Sequence, residues 1–217
     1  MNIIKNNPFN DFNLKENKIL ISQFSNQIRI KTQKDLSFKQ TIKKRILNED
    51  VPTKKEIKLF YSELNSLDKL MAAFILETGV RKNELLQLTV KMIDNLKMSE
   101  SGNFYILELN SHDMQIKNNK SRNIILTVNL RNKIKEYLSS DQYCKNQLKY
   151  INKNNNDIKD SLIFISNRGT KFSPDKLNKS FKKACEKTGY DIRNIGYIKP
   201  HVLRHCFASY YIKEQST

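Results

Sequence analysis

The chain has 217 residues, with 39 Lys and Arg against 22 Asp and Glu, a formal charge of +17. That length is generous for one domain and short for two, and it can bury a core without a disulfide or metal staple. No stretch approaches the ~20 apolar residues that span a bilayer. The start, MNIIKNNPFNDFN, lacks the apolar run of a signal peptide. Three cysteines without a C-x-x-C pair speak against a disulfide framework or a zinc ribbon. What remains is a soluble, basic, intracellular protein, with nucleic acid the first candidate partner. A solvated Lys surface is the plain alternative, and AT-rich coding favours Lys, Asn and Ile. Such coding does not by itself make Lys outnumber the acids this far.

Residues 1–50 show no complete core: Asn7-Pro8 marks a turn, and Ile19, Ile21, Ile28 and Ile30 alternate as in short strands. The character changes at Pro52. Thr53 and Glu56 form a capping box, and Ile57, Phe60, Tyr61 and Leu64 share a helical face. A second helix after Ser66 carries Leu70, Phe74 and Ile75 and ends at Gly79. A short third helix begins near Arg81 and includes Leu85, Leu86 and Leu88. Phe104–Leu109 and Asn123–Val128 read as strands, and the polar run Lys117–Arg122 between them has hairpin length. Asn129 is the expected cap of a helix with Leu130, Ile134 and Leu138. Residues 141–160, rich in Lys, Asn and Asp, read as a solvated insertion. Leu162–Ile165 reads as a short strand followed by a turn at Arg168-Gly169. Ser173-Pro174 opens a helix with Leu177, Phe181 and Ala184 that ends at Gly189, and Pro200 opens the last helix. The class is α+β, mainly α, with a small antiparallel sheet.

Three clusters carry candidate chemistry. In the first, Arg81 stands at a tight corner and Glu84, one turn on, can hold its guanidinium. The second is Lys117-Asn-Asn-Lys120-Ser-Arg122, a turn from which an ammonium can reach a DNA backbone. The third is Pro200-His201-Val-Leu-Arg204-His205, where His201 and Arg204 share a helical face. Each has an ordinary reading: a surface i,i+3 pair, charge that protects a sheet edge, and packing or capping histidines. His201 and His205 have a zinc-like i,i+4 spacing, but no H-E-x-x-H motif and no nearby Cys or carboxylate accompany them, so no metal is expected. There is no P-loop and no G-x-S-x-G elbow. Cys144, Cys185 and Cys206 read as space-filling residues.

Taken in order, the clusters resemble the catalytic domain of tyrosine recombinases, or phage integrases. TGVRKNELLQL is similar to that family's first arginine box, KNNKSRNIIL to its lysine hairpin, and KPHVLRHCFASYY to its H-x-x-R box. The resemblance covers about residues 51–217 and implies a helical catalytic domain of the DNA breaking-rejoining type, with residues 1–50 as an interdomain linker or remnant. It implies Arg81, Lys117, His201 and Arg204 as catalytic residues, Glu84 as their support, and Lys82, Lys120 and Arg122 as DNA-binding residues. The implied reaction is attack of a tyrosine hydroxyl on a DNA phosphodiester, giving a 3′-phosphotyrosyl bond and a free 5′-hydroxyl. It needs no cofactor or metal, because the covalent bond conserves the energy for rejoining. The arginines would neutralise the phosphate, Lys117 would protonate the leaving oxygen with Lys120 as fallback, and His201 would assist the tyrosine.

The family's nucleophile stands some tens of residues beyond H-x-x-R, whereas the sequence stops at Thr217. Tyr210 and Tyr211 are too close to Arg204 to match it and read as packing residues. The expectation is a fragment that binds DNA weakly and in a salt-sensitive way, without cleaving it. The implied partners are double-stranded DNA and, for a full-length protein, three further copies in a tetramer, with no membrane. The implied location is the cytoplasm, for a bacterial or phage-encoded, nucleoid-associated protein. The alternatives are a type IB topoisomerase-like enzyme, a decayed integrase that only occupies sites, and a basic helical protein without chemistry.

Overall fold

The computed structural model describes residues 51–188 and 197–215. The expected linker over residues 1–50 and the helix end at Gly189 lie outside the described residues, as does the packing of the Tyr210 and Tyr211 side chains.

The capping box forms as its spacing requires. The Thr53 hydroxyl accepts from the Glu56 amide at 3.3 Å and opens α1 (Lys54–Ser62), which buries Ile57, Phe60 and Tyr61. Asn65 caps α2 (Ser66–Thr78), a nearly all-round buried helix that runs through the centre of the core. Gly79 ends it in the left-handed region at φ 62°. Thr78 braces this corner: its hydroxyl donates to the Phe74 carbonyl at 2.7 Å and accepts from the Val80 amide at 3.2 Å. The single turn α3 (Lys82–Leu85) follows, then α4 (Val90–Asp94), which the sequence reading did not anticipate.

The sheet is antiparallel in the order β1 (Lys97–Met98), β2 (Phe104–Leu109), β3 (Arg122–Thr127). Leu109 pairs with Arg122, so the two long strands stay in register to the mouth of their connection. That connection is longer than the Lys117–Arg122 stretch of hairpin length. It spans residues 110–121 and buries Met114 and Ile116 before a one-turn 3₁₀ helix at Lys117–Asn119. Two buried apolar side chains between polar neighbours anchor the loop to the core.

Three further expectations are corrected. Helix α5 (Val128–Leu138) is capped by Thr127 rather than Asn129, since the Thr127 hydroxyl accepts from the Leu130 amide at 3.0 Å. Residues 141–160 are not a solvated insertion: they hold α6 (Asp141–Asn154), capped by Ser140, and a 3₁₀ turn at Ile158–Asp160. Helix α6 is polar because it buries little beyond Tyr143 and Asn146. The Tyr143 hydroxyl donates to the Leu162 carbonyl at 3.0 Å, and its ring meets Tyr137 edge-on at 5.2 Å. The strand expected at Leu162–Ile165 is present only as isolated bridges, Thr89 with Leu162 and Ile165 with Lys171, around a turn at Gly169 with φ 68°. Helix α7 (Pro174–Lys187) packs Phe181 edge-on against Phe60 at 5.0 Å, and α8 (Pro200–Gln215) lies along α2.

Glu77 of α2 ties the helix to the sheet, accepting from the Thr127 hydroxyl at 2.7 Å. Burial raises its carboxyl, the Thr127 bond and nearby Lys133 offset this only in part, and the group is pushed up to about 7 from an ordinary 4.5. The folded state therefore binds a proton that the unfolded chain releases earlier. Stability is fully present below about 4.5 and falls as pH rises through 7. Glu77→Gln, which keeps an acceptor for Thr127, is expected to stabilise the fold by about 2 kcal/mol at pH 8 and to change little at pH 4. Urea unfolding at the two pH values checks this; equal effects at both would contradict it.

Candidate active site

The corner after α2 places Arg81 in extended backbone as the residue before α3. The Glu84 carboxylate, one turn later, accepts from the Arg81 amide at 3.0 Å and from its guanidinium Nη1 at 2.9 Å. The same carboxylate takes two bonds from Arg122, from Nη1 at 3.0 Å and from Nη2. Glu84 is thus a 2% exposed anion shared by two half-open arginines, 39% and 29% exposed. Burial opposes its charge, but the bonds from Arg122 and Arg81 outweigh burial and hold the carboxyl below the ordinary range. The spacing of Arg81 and Glu84 foretold the first pair. Arg122 was legible as part of the second cluster, but its pairing with Glu84 was not: its β3 position brings it here from 38 residues away.

Helix α8 supplies the other wall. Arg204 donates from Nη1 to the Gly79 carbonyl, so the corner that orients Arg81 also seats Arg204. Burial, then the guanidiniums of Arg81 and Arg122, press Arg204 below the usual arginine range, while Glu84 acts the other way. Three like charges gathered around one buried carboxylate leave a net positive site. Gly79 permits this approach, because a Cβ there would run into the Phe207 ring of α8.

His201 and His205 stack edge-on with ring centroids 4.2 Å apart and their Nε2 atoms 2.7 Å apart, one donating and the other accepting. Burial, then His205 and Arg204, lower the His201 value, which favours the neutral imidazole. Among the described residues no group of three His, Cys, Asp or Glu could hold a metal ion.

Arg81, Lys82, Glu84, His201 and Arg204 line one open cleft of about 810 Å³ together with Gln87, Gln115 and Asn178. Lys82 donates to the Asn178 side chain at 3.3 Å. Lys117 enters through its backbone position in the 3₁₀ turn, directly after the cleft residue Ile116. Lys120 lies exposed at the end of that turn. Gln87 and Asn178 were not singled out from the sequence, which carries no signal for either. Cys185 and Cys206 are buried and Cys144 is exposed. No helix among the described residues is long and apolar enough to cross a membrane.

The fold is shared with solved structures at low identity. A XerH site-specific recombinase bound to palindromic difH substrate, in a post-cleavage complex, aligns at TM-score 0.53 and 20% identity, over 77% of this chain and 43% of its own. The pre-cleavage complex of XerH with difH aligns at 0.53 and 20%, over 77% and 44%. The Tn1549 transposon integrase in complex with transposon right end DNA aligns at 0.50 and 16%, over 84% and 63%. The chain therefore spans less than half the length of XerH. No curated protein matches it by sequence. The model of the phage integrase family matches residues 50–217, the region that holds all three clusters, and the chain belongs to that family.

Proposed function

We propose that this chain is the phosphate-activating domain of a site-specific recombinase, acting on double-stranded DNA in the cytoplasm as part of a tetramer. Residues 1–50 would be the linker into the domain. The observation that carries this reading is the gathering of Arg81, Arg122 and Arg204 about one buried carboxylate, at a cleft bordered by the Lys117 turn.

In the proposed reaction a tyrosine oxygen attacks the phosphorus, and a P–O bond to tyrosine forms as the bond to the 5′ oxygen breaks. Arg81 and Arg204 hold the non-bridging oxygens and neutralise the charge that grows on them. Such preorganised donors act most strongly at the transition state. Lys117 passes its proton to the departing 5′ oxygen. Neutral His201 can accept the tyrosine proton, with His205 fixing its ring. Glu84 holds Arg81, and Arg122, which shares that carboxylate while staying partly exposed, would also contact the DNA backbone. Lys82 and Lys120 would add contacts to the DNA backbone.

The test is covalent capture. The full gene product is mixed with a library of nicked duplexes, and DNA that stays attached after denaturation is sequenced. A covalent adduct is expected from the wild type and none from the Arg81→Ala, Arg204→Ala double variant. An adduct from the double variant, or none from the wild type, overturns the reading.

A further inference from the structure

We propose that Gln87 is a positioning residue for Lys117, an inference that rests on the reading of Lys117 as the proton donor. Gln87 follows the α3 turn, on the same short segment as Arg81 and Glu84. Its side-chain oxygen accepts from the Gln115 amide at 2.9 Å, and its nitrogen donates to the Asn83 carbonyl at 2.7 Å and more weakly to the Gln115 carbonyl at 3.4 Å. One side chain thus engages both backbone groups of Gln115, as a neighbouring strand would, two residues before Lys117. The partner is exposed loop backbone that water could serve equally well, so bulk solvation does not require this contact.

What the contact does is fix the loop. Met114 and Ile116 are buried on either side of Gln115, so the chain is anchored at three consecutive residues just before Lys117. Directly after it, Asn118 and Asn119 turn the chain back through the left-handed region at φ 66° and 50°, which asparagine tolerates best after glycine. Lys117 is the corner between a clamp and a sharp reversal. A long flexible side chain on a free loop would sample a wide volume. Here its Cα is held at a set place relative to Arg81, because clamp and arginine flank the same one-turn helix.

A proton donor matters only where the leaving group needs a proton. When sulfur replaces the bridging 5′ oxygen, the departing thiolate is stable without one. The full gene product is therefore assayed in single turnover on an ordinary duplex and on one with a 5′-bridging phosphorothioate at the scissile position. Gln87→Met, of similar length and without hydrogen bonds, and Gln87→Ala are each expected to slow ordinary cleavage about 10- to 100-fold. Both are expected to run at wild-type rate on the sulfur substrate. Cleavage by the Gln87 variants that is equally slow on both substrates, or not slowed at all, overturns the proposal. Lys117→Ala identifies which idea has failed: slow on oxygen and restored on sulfur, it upholds the proton-donor reading, so unrestored Gln87 variants defeat the positioning role alone. If Lys117→Ala is not restored on sulfur, the proton-donor reading falls, and this inference with it.

Discussion

Arg204→Ala is expected to slow strand cleavage by about 10²- to 10³-fold while leaving the domain as stable as before, within about 1 kcal/mol. The two halves of this expectation have one cause. Arg204 stands half-buried among Arg81 and Arg122, an arrangement that is unfavourable until an anion enters. Removing it costs a bond to the Gly79 carbonyl but relieves the repulsion, and the two changes oppose each other. The cleavage step loses a fixed donor at the oxygens where charge develops. Single-turnover cleavage and the urea midpoint, measured on the same preparation, separate the effects. A variant that cleaves within a few-fold of wild type, or that unfolds, would contradict the assignment.

Glu84→Ala is expected to behave in the opposite way and to destabilise the fold by about 3–5 kcal/mol. It leaves Arg81 and Arg122 without their shared partner and Arg204 facing both of them. Part of the loss should return in sulfate, whose charge can replace the missing carboxylate, and little should return in chloride at equal ionic strength. The pH dependence has a fixed sign. The Glu84 carboxyl is held below its ordinary value, so its stabilisation is present at neutral pH and disappears as pH falls through that lowered value. The gap between wild type and Glu84→Ala should therefore narrow in acid. Unfolding curves at pH 7 and pH 3 check this. A loss below about 1 kcal/mol at pH 7 would mean that the arginines find solvent more readily than their geometry implies.

Local signals in the sequence were reliable where local chemistry decides the outcome. Thr53 with Glu56, Gly79 after α2 and Pro174 at the start of α7 all mark helix ends by satisfying, or avoiding, free backbone groups. The failures came where a distant partner decides. Helix α6 shows almost no apolar face, since Tyr143 and Asn146 suffice to seat it, so composition alone suggested a solvated insertion. Thr127 rather than Asn129 is the cap, and its hydroxyl also donates to Glu77, 50 residues away. The lysine segment read as a stretch of hairpin length because its polar residues dominate, but Met114 and Ile116 belong to the same connection and make it a wide, anchored loop. The site divides the same way. Arg81 with Glu84 was legible as an i,i+3 pair, whereas Arg122 and Gln87 join it only through strand register and loop path.

Gly79 has a consequence for any substitution scan of this protein. It ends one helix, gives its carbonyl to Arg204, and leaves room for the Phe207 ring. The two arginine-bearing elements therefore meet at this residue, through one hydrogen bond and one glycine-sized gap. Position 79 should therefore show the intolerance typical of a reacting group, although it contributes no proton, charge or nucleophile. A map of sensitive positions would mark it as part of the chemistry, when it contributes only a backbone carbonyl and the absence of a side chain.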